Sequence, residues 1–326
     1  MNIGKLKLDN NLIIAPMSSV TNLPFRLLCR KYGASLAYSE MTFSEAIVRK
    51  NQMSLERSFT CEEERPFGIQ LLGSDPDSLM RSAQIINEIY RPDIIDMNFG
   101  CPAQSVIRNE CGSALLKRPE VIGEIIERLT GSLNVPVTAK MRILNSLDET
   151  LKIARMIEKA GACALTIHGR TQKQHYSGRS NNEFIKNIKK ELTIPVIANG
   201  DIWDEKIAKH VLEYTQCDGL MIGRAAIGNP HIFRRIEHYL DSGELLPSQS
   251  LSERLVDFFE YEALCRRYKM LDFNDLMAKA MWFTKGIKNS RLVRVEINKA
   301  KDIDSILGIM KGLGDTTSGR PVQSVC

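Results

Sequence analysis

Cys101 stands between Gly100 and Pro102, just past the apolar run Ile94 to Asn98, so its thiol belongs to a loop and not to a strand interior. A thiol held there can act as an acid or nucleophile, or it can be an ordinary packed cysteine. Lys140 and Arg142 lie two residues apart and share one face of any strand that carries them. Two cations aimed into a site are costly unless an anion meets at least one, whereas at a solvated strand end they are only surface charge. His168 closes the run Ala164 to His168 and is open to three readings: core residue, cofactor contact or metal ligand. His175, His210, His231 and His238 stand at no ligand spacing from it, so no metal is expected. Asn199-Gly200-Asp201-Ile202 and Ile222-Gly223-Arg224-Ala225 each follow an apolar run. Either alone reads as a tight turn; the pair, with Arg224 beside the second glycine, points to a phosphorylated ligand cradled by backbone N–H groups.

The elements that must position these residues are legible as apolar runs separated by segments of helical period. The runs are Leu12 to Ala15, Ala34 to Glu40, Phe67 to Leu72, Ile94 to Asn98, Val135 to Lys140, Ala164 to His168, Pro195 to Asn199 and Gly219 to Ile222. Near-continuous apolarity is expected of parallel strands covered on both faces. Between them, Asp75 before Pro76 and Ser146 with Glu149 mark helix starts, and Gly161 marks a stop. Eight strand–helix units before residue 240 predict an α/β fold of the (β/α)8 TIM-barrel type, with an open doubly wound sheet as the alternative. In a barrel the strand C-termini form the active face, which gathers all the residues above into one polar, cationic ring with a single thiol.

After Tyr239 the pattern changes. Residues 1–240 are expected to form the barrel and 241–326 an all-helical domain, opened by a Ser250/Glu253 capping box. There Lys279, Lys285, Lys288, Arg291, Arg294, Lys299 and Lys301 face one acid, Glu296. The Gly-, Ser- and Thr-rich stretch from about residue 312 is expected to be a mobile tail. Over 326 residues, 44 Lys and Arg against 39 acids permit a polyanionic partner without requiring one. Eight cysteines without a Cys-x-x-Cys pair suggest reduced thiols, not a zinc or iron–sulfur site. No signal peptide and no span of roughly 18 apolar residues is seen, so a soluble, cytoplasmic protein without membrane attachment is expected.

The ring resembles the tRNA-dihydrouridine synthases, flavoenzymes that reduce uridine in tRNA. The segments that carry the resemblance are Ala15-Pro16-Met17 with Thr21-Asn22 and Phe25-Arg26, Gln70-Leu71-Leu72-Gly73, Asp96-Met97-Asn98-Phe99-Gly100-Cys101-Pro102, Lys140-Met141-Arg142, and His168-Gly169-Arg170-Thr171 followed by Gln174 and Tyr176. Asn199-Gly200-Asp201-Ile202 and Gly223-Arg224-Ala225-Ala226-Ile227-Gly228-Asn229-Pro230 complete it, in order, from Ala15 to about Arg294. The resemblance implies that Pro16, Met17, Gln70, Lys140 and His168 contact FMN, and that Asn199, Gly200, Asp201, Gly223 and Arg224 serve its phosphate end. It implies Cys101 as catalytic acid, with Asn98, Lys140, Arg142, Arg170 and Gln174 toward the uracil and its tRNA. It also implies tRNA binding by the helical domain, through Lys279, Lys285, Lys288, Arg291 and Arg294. Ala278-Lys279-Ala280 stands where many relatives have Arg-Lys-His.

The implied chemistry is that NADPH reduces FMN, hydride reaches C6 of a flipped-out uracil, and Cys101 protonates C5. An ordinary thiol titrates at about 8.5 and is a competent donor at neutral pH. A flavin barrel acting on a small molecule would share the ring without needing the basic helices, and a non-catalytic tRNA-binding protein would not need Cys101, Lys140 and His168.

Overall fold

The computed structural model describes residues 1–317, with side chains through Gly314. Eight parallel strands form the barrel: β1 Leu12–Ile14, β2 Leu36–Tyr38, β3 Phe67–Leu72, β4 Ile94–Phe99, β5 Val137–Arg142, β6 Leu165–His168, β7 Val196–Asn199 and β8 Gly219–Ile222. Each pairs with the next, and Leu220 of β8 lies opposite Leu12 of β1, so the sheet closes and the open-sheet alternative falls. The helices following the strands are α1 Leu23–Lys31, α2 Ser44–Val48, α3 Pro76–Tyr90, α4 Pro119–Ser132, α5 Leu147–Lys159, α6 Asn182–Glu191, α7 Glu205–Thr215 and α8 Ile232–Ser242. The expected caps form: Asp75 accepts from Ser78 N, and Ser146 from Glu149 N, each worth about 1 kcal/mol of helix stability.

Two differences from the sequence reading matter. β5 begins and ends two residues later than the apolar run suggests, so Arg142 belongs to the strand and its side chain points inward with Lys140. An N-terminal hairpin, Asn2–Ile3 paired with Leu6–Lys7, was not legible because its strands are only two residues long. It places Ile3 and Leu8 against Ile13, Leu36, Ile94, Ala164 and Ile197, sealing the end of the barrel away from the ring.

Beyond α8 the chain runs through Gly243 to the complete Ser250/Glu253 capping box. Four helices follow: α9 Leu251–Arg267, α10 Phe273–Phe283, α11 Ser290–Lys299 and α12 Ile303–Thr317. Phe258, Tyr261, Leu276 and Phe283 belong to the same apolar cluster as the helices around the barrel. Gly228 has a φ of +66°, and a side chain there would collide with the Trp282 backbone, so this glycine lets the last barrel loop touch α10. Asn22 Nδ2 donates to Tyr261 Oη at 2.7 Å, and Tyr32 Oη to Asp257 at 2.6 Å, tying α1 to α9. The expected tail is helical in its first residues, because Leu313 packs on the core and outweighs the roughly 1 kcal/mol that a helical glycine costs. The remainder of that stretch, 318–326, lies outside the described residues.

Candidate active site

Strand parity builds the cavity floor. Gln70, Asn98, Lys140, Arg142, His168 and Asn199 occupy inward positions near the C-terminal ends of β3 to β7, and the following loops add Pro16, Met17, Cys101, Gly200, Asp201, Gly223 and Arg224. Together they line a cavity of about 480 Å³. Met41, Ala103, Tyr176 and Trp203 complete its rim.

The Cys101 loop is fixed on both sides. Asn98 Oδ1 accepts from Gly100 N at 3.0 Å and Cys101 N at 2.9 Å, while Ser113 donates to Cys101 O through N (3.1 Å) and Oγ (2.8 Å). Arg142 donates to the carbonyls of Gly100 (2.9 Å), Thr171 (3.0 Å) and His175 (2.9 Å), joining the loops after β4 and β6. Lys140 Nζ donates to Asn199 Oδ1 at 3.0 Å, and Asn199 Nδ2 to Met221 O at 2.8 Å. Among the described residues no carboxylate lies within ion-pair distance of Lys140 or Arg142. Burial and the charge of Arg142 pull the Lys140 ammonium down to about 8. Burial, then the charges of Lys140, Arg142, Arg170 and Arg224, pull His168 down to about 2, so the imidazole is neutral at physiological pH. Its Nε2 is buried and has no hydrogen-bond partner among the described residues. Gly200, with φ +119°, permits this crowding: a Cβ there would come within 2.9 Å of His168 Cδ2.

The glycine-turn end is organised by Asp201. Its carboxylate takes Arg170 at 2.7 Å, Arg224 at 3.2 Å and Ser180 N at 2.8 Å, and hydrogen bonds and both charges hold it below the usual range against the opposing effect of burial. The Arg224 guanidinium lies between the Tyr176 and Trp203 rings, 4.7 Å from each centroid. Trp203 was missed in the sequence; its signal is an aromatic residue four places after Asn199, the polar end of β7.

Three expected site residues sit elsewhere. Arg170 is 2% exposed and does not line the cavity; besides Asp201 it holds the carbonyls of Ser177 (3.1 Å) and Gly178 (2.7 Å), so it builds the loop after β6. Gln174 turns its Oε1 back to Thr171 N at 2.8 Å and stabilises that same loop. Lys279 is fully buried in α10, its Nζ 2.8 Å from Asp275 and packed over Phe25, Tyr261 and Trp282, so it presents no charge to a phosphate backbone. Lys285, Lys288, Arg291 and Arg294 are exposed as expected. Among the described residues no three His, Cys, Asp or Glu side chains gather as metal ligands would, and no helix is long and apolar enough to cross a membrane.

Fold and cavity thus define a protein of the parallel-barrel class whose strand C-termini gather two cations beside a loop-held thiol. The dihydrouridine synthase family model matches residues 13–310. The chain is 45% identical over 261 residues to tRNA-dihydrouridine synthase B of Yersinia pestis, covering 79% of this chain and 81% of that one. It is 38% identical over 307 residues to a probable tRNA-dihydrouridine synthase of Rickettsia bellii, covering 92% and 93%. The protein belongs to the dihydrouridine synthase family. In fold, a histamine dehydrogenase from Rhizobium superposes with a TM-score of 0.54 at 13% identity, over 73% of this chain and 47% of that one.

Proposed function

We propose that the protein is a cytoplasmic, FMN-dependent tRNA-dihydrouridine synthase that draws its electrons from NADPH. The observation that carries this reading is a floor where, among the described residues, Lys140 and Arg142 meet amide and backbone oxygens and no carboxylate, and where neutral His168 leaves its buried Nε2 without a partner, all beside a loop-fixed thiol. Such a floor fits an electron-rich, hydrogen-bonding ring system. Pro16, Met17, Gln70, Lys140 and His168 would hold the flavin ring and ribityl chain, with Asn199, Gly200, Asp201, Gly223 and Arg224 at its phosphate. When bound, FMN supplies the two-electron relay: NADPH is oxidised to NADP⁺ and uracil C6 receives the hydride.

The chain's own residues supply the remainder. Lys140 would place positive charge beside the flavin ring and the uracil carbonyls, in a site partly closed to water. Asn98 Nδ2 donates to Gln70 Oε1 at 2.8 Å and only weakly to Met41 Sδ at 3.7 Å, so a pyrimidine carbonyl would displace the sulfur contact and be oriented by that N–H. Cys101 delivers a proton to C5 and recovers it from solvent, so uracil gains one hydride and one proton per NADPH. Lys285, Lys288, Arg291 and Arg294 receive the tRNA phosphates, and the target nucleotide leaves its stack to reach the floor.

An absorption spectrum of the purified protein, followed by anaerobic addition of unmodified tRNA to the NADPH-reduced form, tests the reading. Flavin bands that reoxidise as dihydrouridine appears are expected. Absence of flavin, or reoxidation only by a small pyrimidine, would overturn it.

A further inference from the structure

A carboxylate lies beneath the cavity, and no step of the proposed reaction uses it. Asp96 of β4 is 1% exposed, two residues below Asn98 on the same inward face. Gln70 lies directly across the ladder from Asp96, and diagonally from Asn98. Gln70 Nε2 donates to Asp96 Oδ2 at 2.7 Å, Asn98 Nδ2 donates to Gln70 Oε1 at 2.8 Å, and Asn98 Oδ1 accepts from Gly100 N and Cys101 N. The other carboxylate oxygen takes Thr138 Oγ1 at 2.7 Å, and Tyr38 Oη lies 3.4 Å from that hydroxyl.

The direction of this chain is determined at both ends. An ionised carboxylate only accepts, so Gln70 must turn its N–H₂ toward Asp96 and its carbonyl toward Asn98. Backbone N–H groups only donate, so Asn98 must turn its carbonyl toward the Cys101 loop and its N–H₂ toward Gln70. Two side-chain amides, each able to flip, are held in one orientation by an acceptor below and two donors above. Without Asp96, Gln70 is free to turn over, its N–H₂ then confronts that of Asn98, and the loop loses its support. A buried carboxylate is costly to maintain, and burial does push Asp96 up to about 6 against the hydrogen bonds of Gln70 and Thr138 and the charge of Lys140.

We propose that Asp96 is a positioning residue for the Cys101 loop, acting through the amide orientations of Gln70 and Asn98. The proposal deepens the proposed function and rests on it for the role of Cys101. It also sets what a replacement must retain. Asparagine keeps an acceptor for Gln70 by turning its N–H₂ to Thr138, whose hydroxyl can accept. Alanine has no acceptor, and serine is too short to reach Gln70.

The test measures three quantities on wild-type holoenzyme and on Asp96→Ala, Asp96→Ser and Asp96→Asn. They are flavin reduction by NADPH, reoxidation by saturating tRNA, and the iodoacetamide alkylation rate of Cys101 read by peptide mass spectrometry. Asp96→Ala and Asp96→Ser are expected to reoxidise at least about tenfold more slowly at saturating tRNA and to alkylate severalfold faster at Cys101. Their reduction by NADPH should fall by no more than about threefold, clearly less than reoxidation, because Gln70 also meets the flavin ring while the Cys101 loop serves only the tRNA step. Asp96→Asn should stay within about threefold of wild type throughout. Serine is the smaller disturbance and serves if the alanine variant does not fold. Three results overturn the proposal: wild-type behaviour of Ala and Ser, an Asn variant as impaired as Ala, or equal losses in both half-reactions. If wild-type protein makes no dihydrouridine, the functional reading fails, while the alkylation rates still decide whether Asp96 holds the loop.

Discussion

The cations of the cavity floor and those of the C-terminal helices are the same residue types under opposite physical conditions. Lys140 and Arg142 are fixed by Asn199 and by three backbone carbonyls, with no carboxylate partner among the described residues, where a charge acts at close range on whatever binds. Lys285, Lys288, Arg291 and Arg294 stand in water, where each contact is weak, screened by salt and adaptable to a backbone of repeating charge. Under the proposed function, the first set serves the chemistry and the second substrate capture. Lys279 separates the two sets: it lies in the helical region yet is sealed beneath aromatic rings on Asp275.

The comparison can be broken or sharpened by experiment. Cys101→Ala should abolish dihydrouridine formation by about a hundredfold or more, with flavin content and NADPH oxidation retained, because only the protonation of C5 is removed; stopped-flow reoxidation by tRNA measures it. Replacing Lys285, Lys288, Arg291 and Arg294 by alanine together should weaken tRNA binding by about ten- to a hundredfold near physiological salt. It should also flatten the slope of log affinity against log salt by up to about 0.7–0.9 for each phosphate left without its cation, as read from binding titrations.

Asp96→Asn addresses stability instead of rate. The carboxyl rises from 3.8 to about 6 on folding, so keeping it ionised costs the folded state on the order of 2–3 kcal/mol above pH 6, and nothing below about pH 4, where both states hold the proton. The variant should therefore be the more stable at pH 7.5, with the gap closing as the pH falls, in denaturant titrations. Lys279→Met should have the smallest effect on tRNA: the salt slope stays unchanged, because this ammonium meets Asp275 and not a phosphate, and the cost appears as a lowered melting temperature.

Eight strands were legible because parallel strands buried on both faces must be apolar almost throughout, and the polar residues ending those runs marked the ring. Inward direction was legible too, since Lys140 and Arg142 share parity whichever residue begins the strand. What a sequence conceals is which partner a polar group meets across the fold. Arg170 and Gln174 read as substrate contacts through the family resemblance, yet in the fold Asp201 and the Thr171 amide hold their polar groups. Lys279 read as surface charge because it begins a cationic run, although Asp275 four residues earlier marks an i,i+4 partner on the same face. Asp96 lies in the motif that ends at Pro102, but its hydrogen bond to Gln70 exists only once β3 and β4 are in register.

The division between the two sets of cations is tested most directly by single-turnover reduction of tRNA across a salt series. NADPH-reduced protein is mixed anaerobically with tRNA at saturating and at subsaturating concentrations. The account predicts that the rate at saturation barely changes with salt, since the floor is preassembled and held by fixed hydrogen bonds, while the tRNA concentration needed for half the maximal rate climbs steeply. A saturating rate that falls in step with affinity would contradict it.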